Sequence, residues 1–171
     1  MTVTLRPATE ADLMAVGALH QRSRVAAYSS FLPAATLARP TPEQLGLYWV
    51  ERLTWEAADH RMTVVERDGQ LVGFSYLGPD DAGDPDTGLL NAIHLAPDER
   101  GRGTGRALMV DALAAMRARG WSRAALWVLE RNAHARRFYE HGGWTATGAR
   151  RDDRIGTVLV PQLRYARLTG G

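Results

Sequence analysis

The chain has no cysteine, and none of its 21 basic residues is a lysine. The first absence excludes a disulfide scaffold, a cysteine-ligated zinc and thiol catalysis. The second excludes a Walker-type phosphate loop, which must end in Gly-Lys-Ser/Thr. No apolar run is long enough to cross a bilayer. Met1 to Leu5 lack the charged and apolar regions of a signal peptide, so a cytoplasmic protein without a membrane partner is expected. Net charge is scarce too, at +2, although the pI is 9.4. The two agree because arginine is the only strong base and no thiol titrates above neutrality. The high pI is therefore no sign of nucleic acid, and the arginines are spread along the chain without a recognition-helix pattern. Internal repeats, low-complexity stretches and linkers are also missing. At 171 residues and 45% hydrophobic content, a single domain over 1–171 is expected.

What is present is an alternation of two periodicities. Val3 and Leu5 alternate with polar residues up to Pro7, which suits a strand. Thr9 and Asp12 resemble a capping box for a helix reaching Tyr28. Phe31 to Arg39 reads as irregular, and Thr41-Pro42-Glu43 opens a second helix ending near Trp55. Met62 to Glu66 and Leu71 to Leu77 are strands joined at Asp68-Gly69, a hairpin turn signal. Gly78 to Gly88 is a loop carrying Asp80, Asp81, Asp84 and Asp86. Leu89 to Leu95 is a strand, Arg106 to Arg119 a helix closed by Gly120, and Ala124 to Leu129 a buried strand. Asn132 can cap a helix to His141 that stops at Gly142-Gly143. Trp144 to Ala149 and Thr157 to Leu168 are the last strands. The order predicts a mixed α/β or α+β fold around one sheet.

Between the strand at Leu89 and the helix at Arg106 lies Arg100-Gly101-Arg102-Gly103-Thr104-Gly105. A glycine-rich turn at a helix N-terminus presents free backbone N–H groups to a phosphate-like anion. Arg100, Arg102 and Arg106 add guanidinium forks suited to phosphate oxygens. The dinucleotide fingerprint G-x-G-x-x-G/A fails from either start, because position 106 is Arg and position 108 is Leu.

Arg100, Gly103 and Gly105 do fit Arg/Gln-x-x-Gly-x-Gly/Ala, and on this the chain resembles the GCN5-related N-acetyltransferase (GNAT) superfamily. Asn91 to Pro97 resembles that family's central strand. Asn132, Ala135, Phe138, Tyr139, Glu140, Gly142 and Trp144 resemble its second signature. Leu5 to Thr9 with Asp12 and Leu13 look like its start, and Arg164 to Leu168 like its last strand. The resemblance covers nearly the whole chain and is weakest from Ser29 to Asp59.

It implies one domain with a twisted mixed sheet of about seven strands, about four flanking helices and splayed central strands. It also implies direct acetyl transfer from acetyl-CoA, without a metal, to a primary amine of a small molecule, peptide or protein. Monomers and homodimers both fit. The pyrophosphate would lie on the amides from Gly101 through Gly103 and Thr104 to Gly105. Ile93, His94 and Leu95 would flank the pantetheine arm, with Ala124 to Leu129 as the other wall. Asn132 would hydrogen-bond that arm, or simply cap its helix, and Phe138 would pack beside the cofactor. Tyr139 matches the general acid that protonates the departing thiolate. Leu89 stands where many family members carry a glutamate base, and leucine cannot take a proton. His94, which titrates near neutrality, or Glu130, at the end of the neighbouring strand, is left as a candidate base, with water as the remaining route. The acidic loop from Asp80 to Asp86 can attract a cationic amine or be merely solvated. Tyr48, Trp49 and Trp55 can wall an acceptor pocket or belong to the core. A non-catalytic acyl-CoA-binding module on the same fold is the alternative that Leu89 favours.

Overall fold

The computed structural model describes residues 2–171. Strand β1 (Val3–Pro7) leads into helix α1 (Leu13–Tyr28), a short helical turn α2 (Ala34–Leu37) and helix α3 (Pro42–Glu56). Strands β2 (Arg61–Arg67), β3 (Gln70–Pro79) and β4 (Thr87–Leu95) follow, then α4 (Thr104–Ala118) and β5 (Arg123–Leu129). The chain closes with α5 (Ala133–His141), β6 (Thr145–Ile155) and β7 (Val158–Leu168). All seven strands form one sheet in the order β1-β2-β3-β4-β5-β7-β6. Only β4 and β5 run parallel, and α4 supplies the crossover that a parallel pair requires.

Local chemistry sets the element ends. The Asp12 carboxylate accepts the Thr9 backbone N–H at 2.7 Å while Arg6 grips it from β1, so the first cap also ties α1 to the sheet. Thr41 and Gln44 form a reciprocal capping box at α3. Asp68 and Gly69 both have positive φ, the geometry that lets a two-residue turn follow the strand twist.

The sheet buries both faces. Leu13, Val16 and Leu19 of α1 and Trp49 of α3 pack on Met62, Val64, Phe74 and Tyr76. On the other face Met109, Leu113 and Met116 of α4 and Tyr139 of α5 pack on Leu77, Leu90, Leu126 and Tyr165. Helices α1 and α3 approach closely because Gly17 meets Gly46: a Cβ on Gly17 would lie 2.2 Å from the Gly46 nitrogen.

Three expected boundaries move. The stretch expected to be irregular contains α2, whose Leu37 joins Leu32, Leu129 and Val160 in a third apolar cluster. Strand β6 runs on to Ile155 instead of ending at Ala149. Its Arg150 to Arg154 stretch is exposed and edge-placed, so it carries none of the apolar alternation that marks a half-buried strand. Strands β3 and β4 extend into the expected Gly78–Gly88 loop and pair there, Pro79 opposite Gly88.

Two irregularities shape the centre. Tyr76 pairs with Ala92 but Leu77 with Leu90, so Asn91 is an extra residue, a bulge in β4. The β4–β5 ladder runs from Thr87↔Arg123 to Leu90↔Leu126 and goes no further. From Asn91 onward β4 has no strand partner on that side, and the expected splay opens there.

Candidate active site

The splay opens into a cavity of about 500 Å³. Its walls bring together Ile93, His94, Leu95, Arg100, Gly101, Gly103, Gly105, Arg106, Asn132, Phe138 and Tyr139. Three expected site residues are not among those lining it. Glu130, just past the end of β5, is bound by Arg150 of the edge strand β6 through two contacts of 2.9 and 3.1 Å. Arg102 lies 3.6 Å from Glu99, on the solvent side of the turn. Thr104 is buried, with its hydroxyl donating to Glu99 at 2.8 Å, so only its backbone N–H is free to meet a ligand.

Glycine is needed in the loop for two different reasons. Gly101 and Gly103 adopt φ of 77° and 84°, the left-handed region that side chains resist. A Cβ on either would meet nothing, so backbone shape, not crowding, demands glycine there. At Gly105 a Cβ would lie 3.3 Å from both Leu95 and Phe138, so here glycine allows close packing of α4 against β4 and α5. The first-turn amides of α4 have no intrahelical acceptor, and the helix dipole favours negative charge at that end. Arg100 and Arg106 face the cavity, neither in an ion pair among the described residues. These groups fit a pyrophosphate.

The loop is held from behind. Glu99 is 2% exposed and receives Arg67 of β2 in a bidentate pair, 2.9 and 3.0 Å, as well as the Thr104 hydroxyl. The guanidinium holds the Glu99 carboxyl below its ordinary value.

Asn132 caps α5, its side-chain oxygen accepting the Ala135 N–H at 3.2 Å, while its NH₂ has no protein partner among the described residues. Tyr139 is 9% exposed, and its hydroxyl likewise has no partner among the described residues. Burial raises its pKa, so the phenol stays protonated through the neutral range.

His94 lines the opposite wall, its Nδ1 2.9 Å from Ser23 Oγ and its ring 4.4 Å from that of His20. Burial, aided by the Arg24 charge, pushes its pKa down to about 4. Burial also takes His20 down to about 2. Trp49 Nε1–H donates to His20 Nδ1 at 3.2 Å, so the neutral His20 ring carries its proton on Nε2. Both imidazoles are uncharged at neutral pH, with a consequence for stability. An unfolded histidine gains its proton near 6.5, whereas the folded ones resist, so acidification favours the unfolded chain. Between pH 7 and 5 each should remove about 2 kcal/mol of stability. Urea unfolding at the two pH values tests this: His94→Asn should flatten the slope, and an unchanged slope would refute the buried-neutral assignment.

Trp127 and Val128 line the cavity from the expected Ala124 to Leu129 wall, but sequence reasoning missed most of the far wall: His20, Ser23, Tyr28, Arg52, Asn91 and Gln162. Of the three aromatic candidates, Trp49 is both core and wall, Tyr48 lines the cavity, and Trp55 is 81% exposed and outside it. Three of the four aspartates of the acidic loop are neutralised, while Asp86 is exposed and in no ion pair among the described residues. Arg164 binds Asp80 and Asp81, Arg151 binds Asp81, and Arg123 binds Asp84. No carboxylate lines the cavity among the described residues.

A family model described as "Acetyltransferase (GNAT) family" matches residues 26–144. The chain belongs to the GNAT acetyltransferase family. Among curated proteins, the mycothiol acetyltransferase of Beutenbergia cavernae is 44% identical over 78 residues, 46% of this chain and 25% of that protein. That of Thermobispora bispora is 39% identical over 85 residues, 48% of this chain and 29% of that protein. The chain thus spans little more than a quarter of the length of these relatives. Among solved structures, PaiA N-acetyltransferase from Thermoplasma acidophilum, in complex with coenzyme A, superposes with a TM-score of 0.78 at 18% identity, covering 98% of this chain and 99% of that one. YncA from Salmonella typhimurium, with its cofactor acetyl-CoA, gives 0.74 at 19% identity, covering 100% and 96%. At those identities the likeness speaks for the fold.

Proposed function

We propose that the protein is an acetyl-CoA-dependent N-acetyltransferase acting by direct transfer to a primary amine. The observation that carries this reading is Tyr139: a buried, protonated phenol whose hydroxyl opens on the cavity without an internal partner. Acetyl-CoA, when bound, supplies an acetyl group activated as a thioester. The amides of Gly101, Gly103, Thr104 and Gly105 with Arg100 and Arg106 hold its pyrophosphate. The unpaired edge of β4 from Ile93 to Leu95 and the Asn132 NH₂ hold its pantetheine arm, and Phe138 shields it. Tyr139 gives its proton to the departing thiolate sulfur. His94 takes the proton of the attacking amine. For this, its Nδ1–H donates to Ser23 and its Nε2 keeps a lone pair. Its low basicity suits an acceptor that arrives as the neutral amine.

The non-catalytic reading has one observation in its favour: no carboxylate lines the cavity to serve as base. The two separate by experiment. Purified protein should gain thermal stability with acetyl-CoA, about 2.7 kcal/mol at a hundredfold excess over Kd. It should also release coenzyme A when given a suitable amine. Release can be read with a thiol reagent, since the chain contributes no cysteine background. Binding without release across a broad amine panel would leave the non-catalytic module as the answer.

A further inference from the structure

A second chamber, of about 430 Å³, adjoins the main cavity; His20, Tyr28, Tyr48 and Gln162 line both. Its wall comes from α1, the segment around Pro40, and the β6–β7 hairpin, whose edge brings Asp153, Arg154, Ile155 and Gly156. It therefore lies at the end of the cleft away from the pyrophosphate loop.

Arg24 is the unusual residue there. It is 8% exposed, yet its only hydrogen bond among the described residues is from Nη1 to the Gln21 side-chain oxygen at 2.8 Å. No carboxylate pairs with it among the described residues. Burial lowers its pKa from the ordinary arginine value, as expected for a cation without a counter-charge. A buried charge left unpaired is costly, and its remaining N–H groups still need acceptors. Every other well-buried guanidinium is matched: Arg67 by Glu99, Arg164 by Asp80 and Asp81. Arg39 and Arg154 line the same chamber from its exposed rim. The one carboxylate on its wall, Asp153, accepts from the Arg154 backbone at 2.8 Å and from Gln162 at 3.4 Å, not from Arg24. With no acid lining the main cavity and Asp80, Asp81 and Asp84 neutralised by arginine, nothing in the cleft recommends a polycationic acceptor.

We propose that the acceptor is an amine that also carries an acidic group, a carboxylate or a phosphate, and that Arg24 is the residue that seats this group in the side chamber. The inference rests on the transferase reading, in which the amine of the same molecule reaches the thioester. Guanidinium forks suit both oxyanions, and Arg39 and Arg154 draw the ligand in from the rim.

The test compares matched amines with the full chain and acetyl-CoA. Glycine, β-alanine and glutamate are set against their esters or amides, ethanolamine phosphate against ethanolamine, and spermidine stands as the cationic control. The acidic member of the preferred pair should show at least a ~10-fold higher kcat/KM than its neutral mate. Which pair wins separates carboxylate from phosphate. Arg24→Gln should collapse that ratio toward unity, and Arg24→Lys should restore part of it. Melting temperature and acetyl-CoA affinity report whether each variant is folded. If Arg24→Gln does not fold, the doubly substituted Arg39→Gln, Arg154→Gln protein should lower the same ratio by raising KM. Neutral mates turned over equally well, spermidine preferred, or a ratio indifferent to these changes would each overturn the proposal.

Calorimetry gives an arm independent of turnover. With coenzyme A present, N-acetylglycine and N-acetyl-β-alanine should bind more tightly than their amides, and O-phosphoryl-N-acetylethanolamine more tightly than N-acetylethanolamine. If nothing is acetylated but Arg24-dependent binding of the acids persists, the transferase reading fails and the anion site stands. If neither acids nor neutral mates bind, the site fails with it.

Discussion

Tyr139→Phe is expected to lower kcat by about 10²–10³-fold while leaving the affinity for acetyl-CoA within about twofold. The substitution removes one oxygen from a side chain that otherwise packs against Phe138, Trp144 and Tyr165, so the cavity wall keeps its shape. No internal hydrogen bond is broken, because the hydroxyl has no partner among the described residues. Stability should therefore hardly change, and the loss should appear as slower chemistry without weaker binding. The raised pKa also fixes the pH behaviour: the phenol does not ionise near neutrality, so activity should show no alkaline fall due to Tyr139 below about pH 10. Steady-state kinetics with calorimetric acetyl-CoA binding decides the point. A Phe variant as fast as the parent would remove Tyr139 from the chemistry.

Glu99→Ala is expected to be the most damaging single change outside the cavity. It takes the bidentate carboxylate away from the Arg67 guanidinium, only 14% exposed, and removes the acceptor of the Thr104 hydroxyl. Removing one partner of a shielded pair costs more than the pair's net worth, because the other charge keeps its desolvation without its counter-charge, so the melting temperature should fall by several degrees. The same carboxylate joins the turn before the loop to the first residue of α4. The amides between them should lose their fixed directions, and acetyl-CoA affinity should fall by at least about tenfold. Thermal melts with and without acetyl-CoA measure both effects. A melting temperature within two degrees or so of the parent would show that the pair contributes nothing net.

The contrast between these residues shows where sequence reading succeeds. Tyr139 was placed by the match of its helix to the family's second signature, whereas Asn132 as a helix cap and the glycines of the loop follow from local cap and turn chemistry. Helix caps at Thr9 and Thr41 and the Asp68-Gly69 turn were legible for the same reason. Glu99 was not, because its meaning lies in Arg67, a residue distant in the chain that no local pattern links to it. Arg24 and His20 were hidden likewise: on α1 they look like polar members of an amphipathic helix, and only packing against β4 and the β6–β7 hairpin turns them into cavity wall. The acidic loop was readable only as a choice between an attracting field and a solvated one, because Arg123, Arg151 and Arg164, which neutralise Asp80, Asp81 and Asp84, come from other strands. Glu130 and His94 were equal candidates on paper; the fold ties one to Arg150 outside the cavity and puts the other on the cavity wall.

The short β4–β5 ladder has a mechanical consequence. Four residue pairs, Thr87↔Arg123 to Leu90↔Leu126, are the whole edge-to-edge join between a lobe built on β1 to β4 and a lobe built on β5 to β7. Below that join the two strands already stand apart, so a long, thin guest can slide between them without rupturing a single rung of the sheet. The slot is thus built into the strand order itself, with the α4 crossover tying β4 to β5.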